Sequence, residues 1–139
     1  MKFGFAAIVF SSLVMPAAAM DVQSFRTPSD NIHCLFVTDD DGRSSVECEL
    51  RTRNGVEPAM PQPADCDLDW GNRFALDAEG RAGMVCHGDT LISPDAPVLG
   101  YGKQADWHGI VCASEKSGLA CRNREGRGFN LSRARQSLF

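Results

Sequence analysis

From Val46 to Arg51 the chain reads Val-Glu-Cys-Glu-Leu-Arg, apolar and charged residues in strict alternation. A strand sets every second side chain on the same face, so Val46, Cys48 and Leu50 face a core while Glu47, Glu49 and Arg51 face out. Upstream, Asn31–Val37 is an apolar run, and Asp41-Gly42 within the polar stretch 39–45 marks a turn. The two runs form a hairpin. A second hairpin is expected at 109–123. There the β-branched Ile110 and Val111 lie in one arm and Leu119–Cys121 in the other, and Gly118 supplies the positive φ of a short loop. A third is expected from Phe74–Leu76, a turn at Ala78-Glu79-Gly80, and Ala82–Cys86.

Two loops separate these units. Residues 54–67 contain Pro58, Pro61 and Pro63, which exclude regular structure. Residues 93–104 form a second break, with a short strand at Val98–Tyr101. Gly128–Leu131 reads as the last strand, and Ser132 as the cap of a short C-terminal helix. Many short strands with turns between them define an all-β fold: a small antiparallel sandwich or barrel, single-domain and stapled by disulfides.

The staples follow from the strands. The chain has six cysteines and no CxxC spacing that would favour zinc. If Ser114 faces Leu119, Cys112 faces Cys121, and opposed Cα atoms in an antiparallel pair lie about 4.5–5.5 Å apart, within reach of a disulfide. Cys34 and Cys48 stand likewise in the first hairpin, which repeats the apolar-Cys, turn, apolar-Cys pattern. Cys66 and Cys86 pair by elimination.

An even cysteine count implies an oxidising compartment, and the N-terminus agrees. Lys2 is followed by an apolar stretch, Phe3–Val14, then by Pro16 and Ala17-Ala18-Ala19. That is the order of a secretory signal peptide over 1–19, leaving a secreted β domain over 20–139. The apolar run is shorter than the roughly 20 residues of a membrane span, so no transmembrane segment is expected. Loss of Lys2 leaves 13 basic against 18 acidic residues, a balance that argues against a nucleic-acid partner.

Several phrases in combination resemble a family of small secreted bacterial domains of unknown function. They are Phe25–Cys34 (FRTPSDNIHC), 65–71 (DCDLDWG), 83–90 (GMVCHGDT), 98–102 (VLGYG) and 121–133 (CRNREGRGFNLSR), with a terminal Leu-Phe. The family's usual first phrase has glycine where this chain has Asp30, a residue that also tolerates turn geometry. The resemblance implies a bacterial, exported, disulfide-bonded β domain and no known activity, so no catalytic residue carries over.

Candidate chemistry is sparse. His33, His87 and His108 suit a metal by type, but alternation sets His33 and His87 on the faces opposite their neighbouring cysteines. Asp65, Asp67 and Asp69 alternate around Cys66, yet Trp70 and Leu76 stand where a calcium loop needs glycine and glutamate. No metal or cofactor is expected. With every cysteine bridged no thiolate nucleophile remains, and no Gly-x-Ser-x-Gly elbow occurs.

Charge is uneven. Residues 30–69 hold ten acidic and three basic residues, whereas Arg122, Arg124, Arg127, Arg133 and Arg135 face only Glu125 near the C-terminus. Trp70, Tyr101, Trp107, Arg122, Arg124 and Arg127 form the candidate binding surface. The reading is an exported binding or inhibitor-type module in the periplasm or outside the cell, its partner an envelope protein or polysaccharide. The alternative is a small secreted hydrolase using Asp89, Asp106 and His108, which requires those three to converge in a cleft.

Overall fold

The computed structural model describes residues 1, 11–16, 20–55 and 57–139. Residues 2–10 and 17–19, with Lys2 and the Ala17–Ala19 pattern, lie outside the described residues, as does Val56. Among the described residues there are ten strands and no helix. Strands β1 (Asp21–Arg26), β2 (Ile32–Thr38), β3 (Ser44–Leu50), β4 (Arg73–Asp77) and β5 (Gly83–Met84) form one antiparallel sheet in chain order. Strands β6 (Lys103–Trp107), β7 (Ile110–Glu115), β8 (Gly118–Arg122), β9 (Gly128–Leu131) and β10 (Gln136–Leu138) form the second. The sheets pack face to face as a sandwich.

The core is the set of inward positions that alternation picks out. Cys34, Phe36, Val46, Cys48, Phe74 and Leu76 come from the first sheet, and Ile110, Cys112, Leu119, Cys121, Phe129 and Leu131 from the second. Aromatic pairs bridge the layers: Phe36 stacks on Trp107 with centroids 5.6 Å apart, and Phe74 meets Phe129 at 6.0 Å.

The bridges fall where register puts them. Cys34 faces Cys48 and Cys112 faces Cys121, with Ser114 opposite Leu119. Their Cα–Cα distances of 4.1 and 4.0 Å are close to the roughly 4.5 Å of a non-hydrogen-bonded antiparallel pair. Each sheet thus carries one cross-strand bridge on its core face. Cys66–Cys86, at 5.9 Å, ties the proline-rich loop to the chain leaving β5.

Two expectations are corrected. The C-terminal helix is absent: the Ser132 hydroxyl accepts from the Arg135 amide within a tight turn, and the chain returns as β10 beside β9. Val98 does not open a strand of several residues; it makes one parallel bridge to Arg26, and the true strand begins at Lys103. A barrel is also excluded, because the two sheets remain separate.

The turn before β2 uses an unusual residue. Asp30 has φ 59°, the left-handed region where Asn and Asp are tolerated and glycine is the default. Its carboxylate pairs with Arg26 at 3.3 Å, Arg51 at 3.4 Å and His33 at 3.0 Å.

Candidate functional site

The outer face of the first sheet is not bare. On leaving β5 the chain runs back across it as a strap, residues 85–99, and polar side chains from the sheet hold it in turn. Over β4, Arg73 donates through Nη1 to Asp89 Oδ1 at 2.9 Å and through Nη2 to the Asp89 carbonyl at 3.1 Å. Over β3, Glu49 accepts from the Leu91 amide at 2.7 Å and from the Thr90 hydroxyl at 2.9 Å. Over β2, His33 Nδ1 accepts from the Ser93 amide at 3.1 Å. Beside β1, Arg26 Nε donates to the Ala96 carbonyl at 3.0 Å, and the Arg26 backbone pairs with Pro97 and Leu99. Pro94 and Pro97 lack the amide hydrogens of a regular ladder, so side chains supply the fastening.

The strap changes what alternation means here. Glu49 lies on the outward face as its position requires, yet it is only 5 % exposed, and Arg73 is 3 % exposed. They form a direct pair, Arg73 Nη2 to Glu49 Oε2 at 3.0 Å. Burial pushes the Glu49 carboxyl up, but the Leu91 amide, the Arg73 guanidinium and the Thr90 hydroxyl outweigh it and hold the group below its ordinary value. A lowered folded-state value means that Glu49 stabilises the fold fully above the ordinary glutamate range, about 4.3. That stabilisation is lost as pH falls through the depressed value. Urea unfolding of wild type and Glu49→Gln should therefore show a gap at pH 7 that narrows steadily in acid below about pH 4. A gap independent of pH would contradict the clasp.

His33 and His87 are polar fasteners. His33 Nε2 faces the Asp30 carboxylate and carbonyl while Nδ1 receives the Ser93 amide, which fixes the tautomer with hydrogen on Nε2. His87 Nδ1 faces the Asp89 carbonyl at 2.7 Å and Nε2 faces Asn72 Oδ1 at 2.9 Å. Among the described residues no group of three or more His, Cys, Asp or Glu side chains could hold a metal.

Between the strap and hairpin β2–β3 lies a cleft of about 560 Å³, with apolar walls from Leu35, Val37, Val85 and Leu91 and with Glu47, Arg73 and Asp89 among its polar groups. A larger cleft of about 900 Å³ at the end of the sandwich includes Asp39, Arg43, Asp77, Glu79, His108 and Arg124. Val37 and Ser45 line both, so the two adjoin as one furrow. Together they present five carboxylates and three guanidinium groups, and the guanidiniums are already engaged. Arg73 is paired as above and with Glu47 at 3.5 Å, Arg43 with Asp39 and Asp41, and Arg124 with the His108 carbonyl and, at 3.9 Å, with Glu79.

The residues singled out from sequence are not gathered on one surface. Trp107 stacks on Phe36 and donates from Nε1 to Thr38 Oγ1 at 3.0 Å. Trp70 donates to the Met60 carbonyl at 2.9 Å and secures the proline-rich loop. Tyr101 is exposed beside Thr27 and Ser132 in a different cleft. Arg122 lies over the Phe139 ring, Arg124 lines the furrow, and Arg127 is exposed in the β8–β9 turn. Asp89 and His108 line different parts of the furrow, and Asp106 on β6 lines neither. The convergence that a hydrolase would need is not formed.

Fold and site together define a class: a two-sheet β module with a bridge in each sheet's core face and a polar-clasped strap over one outer face. Three closed disulfides fit a chain that matures in an oxidising environment, and among the described residues no helix is long and apolar enough to cross a membrane. The chain belongs to the family of unknown function DUF6636, whose model matches residues 6–139. No curated protein and no solved structure matches it significantly.

Proposed function

We propose that this chain is an exported bacterial binding module of the periplasm or the extracellular space, and that the furrow beside the strap is its ligand seat. The occupant is an extended, basic segment of a partner polypeptide of the envelope. The excess of carboxylates over guanidiniums in a furrow with apolar walls carries this reading: it suits lysine or arginine side chains set between apolar ones. Export is supported by the bridges and by residues 11–16, where Leu13, Val14 and Met15 are almost wholly exposed and pack on nothing in the fold. A leader over 1–19, removed before Met20, accounts for that.

The test uses the mature chain and two synthetic peptides, one alternating lysine with leucine and one alternating glutamate with leucine. The lysine peptide should bind saturably and lose affinity as salt rises, while the glutamate peptide should not bind. Reversing one rim charge with Glu47→Lys should weaken binding of the lysine peptide at least roughly tenfold, about 1.4 kcal/mol. Equal binding of both peptides, or an unchanged affinity in Glu47→Lys, would refute the reading.

A further inference from the structure

The three disulfides differ sharply in access. Cys34 is 2 % exposed and Cys48, Cys112 and Cys121 are 0 % exposed, sealed between the sheets. Cys66 is buried at 7 %, but its partner Cys86 is exposed and lines the cleft under the strap. Thiol–disulfide exchange begins with a thiolate reaching one sulfur of the bridge, so access decides both which bridge reacts and which sulfur is attacked.

We infer that Cys86 is a thiol-exchange site, through which an external thiol opens the Cys66–Cys86 bridge while the two cross-strand bridges stay closed. In the first step a thiolate attacks Cys86 Sγ. A new sulfur–sulfur bond forms there, the bond to Cys66 breaks, and Cys66 leaves with the electron pair and takes a proton from water. In the second step another thiol attacks the mixed disulfide and releases Cys86 as a thiol. Two external thiols are oxidised to one disulfide, and the protein bridge is reduced to two cysteines. The site stands on burial and does not depend on what fills the furrow.

The structure also gives the consequence. Apart from this bridge, the loop ahead of β4 is joined to the strap's root by the backbone pair Asp69–His87, with bonds of 2.9 and 3.2 Å, and by the contact of His87 Nε2 with Asn72 Oδ1 at 2.9 Å. Both sheets keep their own bridges. Reduction therefore loosens the proline-rich loop, whose Leu68 lines the cleft, and leaves the sandwich folded.

The experiment treats the native mature chain with dithiothreitol, blocks released thiols by alkylation, and maps them by mass spectrometry beside a far-ultraviolet circular dichroism trace. Cys66 and Cys86 should be labelled at least roughly tenfold faster than the other four, with the sheet signal retained. Labelling of Cys34, Cys48, Cys112 or Cys121 at a matching rate would overturn the inference, as would no labelling before the sheet signal is lost. Direction of attack is read from single variants with oxidised glutathione. In folded Cys66→Ser the adduct should form on Cys86, and in folded Cys86→Ser Cys66 should remain unmodified. The opposite pattern would overturn the assignment of the attacked sulfur.

Discussion

Replacing Arg73 by methionine should lower the unfolding free energy by about 3–5 kcal/mol, the usual cost of removing one partner from a buried ion pair. The loss exceeds one hydrogen bond because Arg73 holds Glu49 and Asp89 at once. Without it the Glu49 carboxylate keeps the Leu91 amide and the Thr90 hydroxyl but loses its counter-charge in a site only 5 % exposed. The double variant Glu49→Gln with Arg73→Met should recover part of the loss, because no charge is then left buried without its partner. A double-mutant cycle by urea denaturation measures the coupling. A loss under about 1 kcal/mol for Arg73→Met would mean that the pair is solvated like an ordinary surface salt bridge.

The second large effect lies on the opposite face of the same sheet. Phe36 is 0 % exposed and packs at 5.3 Å from Phe25 and 5.6 Å from Trp107. Phe36→Ala removes the ring through which β2 meets β6 of the other sheet, and bridged hairpins on both sides limit how far the site can collapse. A loss of about 3–5 kcal/mol is expected in thermal or urea unfolding, the range for buried aromatic truncation. Phe36→Leu, which keeps most of the volume, should cost well under half as much. Equal losses for the two variants would show that the ring is not packed as described.

These two residues mark the line between what the sequence discloses and what it hides. Phe36 belongs to a run whose inward positions follow from alternation with Cys34 and Val46, and the bridges follow from the same register. Glu49 obeys alternation too, but its cover comes from residues 89–93, some forty positions downstream. No local pattern reports that an outward charge will be roofed by a distant loop. The pair is visible only when β3 and β4 lie side by side with Glu49 opposite Arg73.

The missed strands share a physical cause. Asp21–Arg26, Lys103–Trp107 and Gln136–Leu138 are all edge strands. An edge strand has less to bury and keeps polar residues that discourage pairing with other chains, so its hydrophobic signal is weak. Ser132-Arg133-Ala134-Arg135 fits a helix start by composition, but the Arg135 amide returns to the Ser132 hydroxyl and the turn closes a hairpin. The scatter of Trp70, Tyr101, Trp107 and the arginines has a similar origin. Composition shows that aromatic and basic residues are present, and only the fold decides whether they meet.

The strap is clasped to the sheet by side-chain acceptors. Amide hydrogen exchange of the native chain tests this directly, because the Leu91 and Ser93 amides donate to Glu49 and His33 from a segment outside the regular strands. Both should exchange far more slowly than the neighbouring Thr90 and Asp95 amides, and Glu49→Gln should speed Leu91 while leaving the β3 amides protected. Exchange at Leu91 as fast as at Thr90 in the native chain would contradict the clasp, and with it the wall of the proposed ligand seat.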